Sequence, residues 1–106
     1  MVNPWTGEVA LVIDGQARVL KLTLGALAGL EQALEVNSLV QLVQRFESGA
    51  FSTRDVLAVV AAGLQGGGAG MDRNDLLQAE IAGGPMAAAK VAAELLARAF
   101  MLPGDA

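Results

Sequence analysis

The 106-residue chain contains no cysteine, no histidine and no tyrosine. Without cysteine, neither disulfides nor thiolate metal sites can hold a fold together, a composition that suits a reducing cytoplasm. Without histidine and tyrosine, it lacks the commonest general acid and base, the commonest metal ligand and the phenolic proton donor. Any enzyme built here would depend on Asp, Glu, Lys, Arg, Ser and Thr alone. We expect no catalytic residue, no cofactor and no metal site.

Charge is also sparse, at 17% of residues, with a formal net charge of −4. The basic residues Arg18, Lys21, Arg45, Arg54, Arg73, Lys90 and Arg98 never form a run. A phosphate backbone is held by concentrated positive charge, so nucleic acid is excluded as a direct partner. The mean hydropathy of +0.49 raises the question of a membrane. The longest uncharged stretch, Val56 to Met71, is broken by Gln65 and repeated glycine. A spanning helix needs about 20 mainly apolar residues, so no membrane span is expected. The opening MVNPWTGEVA has no basic region followed by an apolar core, which argues against a signal peptide and for a cytoplasmic location.

What is present reads as one α+β domain over residues 1–106, a β-hairpin followed by about five short helices. Residues 1–7 form an extended lead-in, with Pro4 opposing helix. Residues 8–23 form the hairpin, where Val9, Leu11 and Ile13 alternate with Ala10, Val12 and Asp14, and Leu20 and Leu22 alternate with Val19, Lys21 and Thr23. A tight turn at Asp14-Gly15 or at Gly15-Gln16 joins the two runs.

Residues 24–102 form the helical part. Thr23 caps a first helix with Leu24, Leu27, Leu30 and Leu34 on one face, while Gly25, Ala26, Gly29 and Ala33 keep its surface thin. Ser38 opens a second helix with Gln41 at the third position, a buried stripe of Leu39, Leu42, Val43 and Phe46, and Gly49 as its end. Ser52 starts the third, with Asp55 three residues on and Phe51 and Val56 at staple positions. That helix ends at Gly66-Gly67-Gly68. Asp72 caps a fourth, with Asp75 in its first turn, running to about Ala82. Pro85 opens the fifth, which runs to about Met101 with Val91, Leu95 and Leu102 on one face and a Glu94–Arg98 pair. Residues 103–106 are a tail.

Four features invite functional readings, and each has a plainer one. The glycine-rich loop at residues 66–70 follows a helix and lacks the Lys-Ser or Lys-Thr of a phosphate loop, so it reads as a flexible connection. Asp72, Asp75 and Glu80 match helix-cap positions better than a metal site. Trp5 either folds over the hairpin or anchors a protein interface. The alanine face of the last helix (Ala87, Ala88, Ala89, Ala92, Ala93) and Gly25/Gly29 serve either internal packing or contacts between copies. The unpaired edge of the hairpin is a further template for association.

Asn3-Pro4, Gly7-Glu8-Val9, Asp14-Gly15, Leu22-Thr23, Gly25-Ala26-Leu27-Ala28 and Leu30-Glu31 together resemble the opening of the gene-transfer-agent tail proteins. These are similar to the tail assembly chaperones of long-tailed phages. Phe51-Ser52 with Asp55, and the closing alanine-rich helix near Phe100, extend the resemblance along the chain. It implies a non-enzymatic role in the bacterial host cytoplasm during assembly of a phage-like particle. The implied partners are the tail tape-measure protein and the tail-tube protein. A structural component retained in the mature tail, of joining or terminator type, is the alternative. A homo-oligomer fits either role, and the resemblance carries no catalytic or binding residue onto this chain.

Overall fold

The computed structural model describes residues 7–34, 39–68, 71 and 73–99. Among these the element order is β1 (Val9–Ile13), β2 (Gln16–Leu20), α1 (Leu24–Leu34), α2 (Leu39–Ser48), α3 (Thr53–Gly66), α4 (Arg73–Gln78) and α5 (Gly84–Ala99). A hairpin followed by five helices is the α+β arrangement expected from the pattern.

The hairpin is antiparallel, with Val9 opposite Leu20 and Ile13 opposite Gln16. That register leaves Asp14-Gly15 as a two-residue turn, and both residues have positive φ, 53° and 78°. Such a turn twists with the strands it joins, which selects Asp14-Gly15 over Gly15-Gln16. Val9, Leu11, Ile13 and Leu20 are buried, whereas Ala10, Val12 and Ala17 face outward. The second strand is shorter than expected. It ends at Leu20 because the next amide, Lys21 N–H, donates to the Gly63 carbonyl of α3 at 2.9 Å.

Thr23 does cap α1, its Oγ1 accepting from Ala26 N–H at 3.1 Å. The buried stripe is Ala26, Leu30 and Leu34, with Leu27 half-buried beside it. Leu24, expected on that face, is 86% exposed. At 3.6 residues per turn it stands about 110° from the middle of the stripe, so the cap that starts the helix also turns Leu24 outward. In α2, Leu42 is buried and Leu39, Val43 and Phe46 pack against the core. Gly49, at φ +78°, ends it, and Ala50 N–H reaches back to Arg45 C=O at 2.9 Å. Ser38, its expected cap, lies outside the described residues.

α3 is the most buried helix. Its N-terminus carries a complete capping box: Ser52 Oγ accepts from Asp55 N–H at 3.1 Å, and Asp55 Oδ2 accepts from Ser52 N–H at 2.9 Å. Its C-terminus is glycine for a packing reason. A Cβ on Gly66 would fall on the Lys21 carbonyl oxygen, and one on Gly67 would fall on that of Val19. Gly63 is equally tight, with Leu95 Cδ1 2.8 Å from where its Cβ would stand. This part of the glycine run is therefore a seat for β2, not the flexible connection its composition suggests.

The fourth helix is shorter than its pattern. It stops at Gln78, and the chain continues extended so that Ile81 forms a β-bridge with Ile13. Asp14 N–H donates to Glu80 C=O at 2.7 Å, Ala82 N–H donates to Val12 C=O at 3.1 Å, and Asp14 Oδ1 accepts from Glu80 N–H at 2.8 Å. A bare strand edge leaves amides and carbonyls unsatisfied, and an extended segment meets them where a helix would not. Its predicted cap, Asp72, is not among the described residues. α5 begins at Gly84, one residue before Pro85, and is described to Ala99; Phe100, Met101 and Leu102 lie beyond the description. Glu94 and Arg98 make the expected i,i+4 pair at 3.6 Å.

One buried cluster takes side chains from both strands and all five helices, among them Ile13, Leu20, Leu30, Leu42, Val59, Leu76 and Leu95. Two glycine substitutions separate the packing constraint from helix propensity. Gly66→Ala should lower stability by ~2 kcal/mol or more through overpacking against β2. Gly29→Ala, in an exposed helical position with no atom within 4 Å of the new methyl, should raise it by roughly 0.5–1 kcal/mol. Urea unfolding monitored by circular dichroism reads both; equal losses would contradict the seating of β2 on α3.

Candidate protein-binding groove

The sequence candidates scatter. Trp5 and Asp72 lie outside the described residues. Asp75 is exposed on α4 and Glu80 on the extended segment, and no group of three potential metal-ligating side chains occurs among the described residues. Ala88 and Ala92 are buried within the fold, Ala87 and Ala89 half-buried, and Ala93 exposed. Gly25 and Gly29 face outward, so the thin surface of α1 is not used for close packing by the described part of this chain. Each hairpin edge is engaged at one end. β1 bonds residues 80–82 and, at 3.4 Å, the Glu8 carbonyl accepts from Arg98; β2 lies on α3.

The structure brings together a different set. On α3 and its C-cap, Val56, Val60, Gly63 and Gly67 are spaced four, three and four residues apart and form one stripe. The hairpin seats on the glycine half. The valine half is left facing a groove of ≈ 430 Å³, walled by Leu76, Leu77 and Ile81 on one side and by Pro85, Met86 and Ala88 of α5 on the other. Among the described residues that line it, Thr53 has the only polar side chain. Leu77 and Met86 are 66% and 81% exposed beside it, a costly placement for large apolar groups unless something covers them.

The N-terminus of α3 is held in place by an ion pair across the preceding turn. Arg45 Nη1 donates to Asp55 Oδ1 at 2.7 Å, with the Asp55 side chain only 4% exposed. One carboxylate thus closes the capping box and anchors α2 to α3. Phe51, which lines the groove, stacks on Phe46 with centroids 4.7 Å apart and rings 6° from parallel. A groove of this volume lined by apolar side chains offers burial to a ligand. Sequence reading missed Leu77 and Met86 as surface. The signal was the Leu76-Leu77 pair on a single-face helix, where only one of two neighbours can point inward.

Residues 6–102 match the family model described as phage tail tube protein, GTA-gp10. The chain belongs to this family. No curated protein and no solved structure gives a significant match. Membership places this GTA-gp10 family chain among phage tail proteins, in keeping with the tail-protein resemblance of its opening residues. No helix among the described residues is long and apolar enough to cross a membrane.

Two substitutions distinguish anchor from surface. Asp55→Ala removes the cap and the partner of Arg45 and should cost about 2 kcal/mol. Leu77→Asp, at an exposed position, should stay within about 0.5 kcal/mol of the parent. Thermal unfolding compares them; a large loss in Leu77→Asp would mean that this side chain is part of the core.

Proposed function

We propose that this chain is a non-enzymatic tail assembly chaperone that shields an apolar segment of the tape-measure protein, the tail-tube protein or both while the tail forms in the bacterial host. The observation that carries this reading is the open groove between α3, α4 and α5, with Leu77 and Met86 exposed beside it. Exposed apolar groups of this kind mark protein contact. The absence of histidine, cysteine and tyrosine from the sequence points away from catalysis. The turn end of β1, bonded to residues 80–82, is closed to strand addition.

The family's description as a tail tube protein favours a second reading, a structural component that stays in the mature tail. Trp5, in the lead-in, is a candidate second anchor under either reading. Mass spectrometry of purified particles discriminates between the two. A chaperone is absent from finished particles and keeps co-expressed tape-measure or tube protein soluble; a stoichiometric presence in particles makes it a structural part. Failure to bind either protein would overturn the assembly role.

A further inference from the structure

The two walls of the groove are held with unequal firmness. The α5 wall belongs to a helix that buries Ala88, Val91, Ala92, Leu95 and Leu96. The opposite wall, residues 74–82, buries Leu76 alone, with Ala79 and Ile81 half-buried and the rest exposed. Its helix, α4, has six residues, too few to persist in water without tertiary support. Glycines with positive φ stand on both sides of it, Gly68 at 82° after α3, and Gly83 and Gly84 at 86° and 70° at the start of α5.

The turn of the hairpin pins this wall. Asp14 bonds Glu80 twice: its N–H donates to the Glu80 C=O at 2.7 Å, and its Oδ1 accepts from the Glu80 N–H at 2.8 Å. Ala82 N–H donates to Val12 C=O at 3.1 Å, and between these bonds Ile81 pairs with Ile13, which is fully buried. Ala79 N–H reaches back to Leu76 C=O at 3.2 Å and joins the extended segment to α4. A six-residue helix held by one buried side chain cannot keep its place once the chain beyond it comes away.

We propose that residues 73–82 form a strap that releases as one unit, with Asp14 as its catch. Local openings draw on segments that bury little, and they cost far less than global unfolding. Release gives up the burial of Leu76, part of that of Ile13, and the bonds to Val12 and Asp14; the rest of the core stays packed on α3 and α5. Two surfaces open together. The groove loses a wall and widens over Val56 and Val60, and the turn end of β1 regains a bare edge at the Val12 carbonyl and the Asp14 N–H. The closed strap is thus an internal occupant of that edge. It belongs to the fold whichever tail role the chain plays.

Amide hydrogen exchange of the intact chain, resolved by NMR under rising urea, tests this. In the parent, Ala79, Glu80 and Ala82 should exchange through one shared opening. It should be about a hundredfold or more populated than the opening that exposes Leu64 of α3, and nearly insensitive to urea. Asp14→Gly suits the positive φ of 53° and removes the carboxylate. Strap opening should then rise about tenfold, the scale of one hydrogen bond to a charged group. Asp14→Asn keeps both the tolerance of positive φ and an oxygen acceptor, and should stay within about threefold of the parent. A Glu80 amide that shares the protection and urea slope of Leu64 overturns the strap. Independent opening of Ala79 and Glu80 overturns the single unit. Equal opening in Asp14→Gly and the parent overturns Asp14 as the catch.

Discussion

The structure depends on how closely β2 approaches the end of α3. Main chain meets main chain there, with Lys21 N–H bonded to the Gly63 carbonyl and the carbonyls of Val19 and Lys21 where side chains of Gly67 and Gly66 would stand. Hydrogen bonding and close packing act together at this contact, and neither tolerates an added methyl group. A two-stranded hairpin is marginal in water, so this contact is what gives the strands a fixed place to bury Leu11, Ile13 and Leu20. It also determines what stays open. The hairpin covers the glycine half of the α3 stripe and stops, and the valine half becomes the groove floor.

The same logic accounts for the bridge between Ile13 and Ile81. With β2 committed to α3, the outer edge of β1 is left with backbone groups to satisfy, and residues 80–82 meet those of Val12 and Asp14. That segment leaves α4 early and turns at Gly83 and Gly84, both with positive φ, into α5. The turn brings Pro85 and Met86 opposite Leu76 and Leu77. Closing the sheet edge and forming the second wall of the groove are thus one event in the chain path, and the Asp14 carboxylate on Glu80 N–H ties the two together.

Features set by neighbours in sequence were legible before any coordinates. Asp14-Gly15 between alternating runs specifies a hairpin, and Thr23 and Ser52 each precede a helix whose third residue they cap. Features set by distant partners were not. Asp55 reads as a capping acid, yet its bond to Arg45 depends on the turn at Gly49. Leu24 reads as core until the cap at Thr23 orients the first turn. Residues 79–82 continue a helical pattern, and only an open edge more than sixty residues earlier draws them into a strand. The groove was the least legible feature. Val56, Val60 and Leu76 have the composition of any core, and a groove is a matter of what fails to cover them.

Size bears on which assembly role the groove serves. Permanent interfaces bury about 2,000 Å² or more and are largely apolar across their whole extent, whereas transient ones fall below about 1,200 Å². A trough of ≈ 430 Å³ flanked by two exposed apolar side chains is a small contact. Such a contact, standing alone, releases readily, because affinity differences reside mainly in the dissociation rate. A protein that must let go when tube subunits arrive needs that kinetic profile; a ring component held for the life of the particle needs the opposite. On the proposed assembly reading, the groove is the part of the surface that a held and then surrendered partner would use.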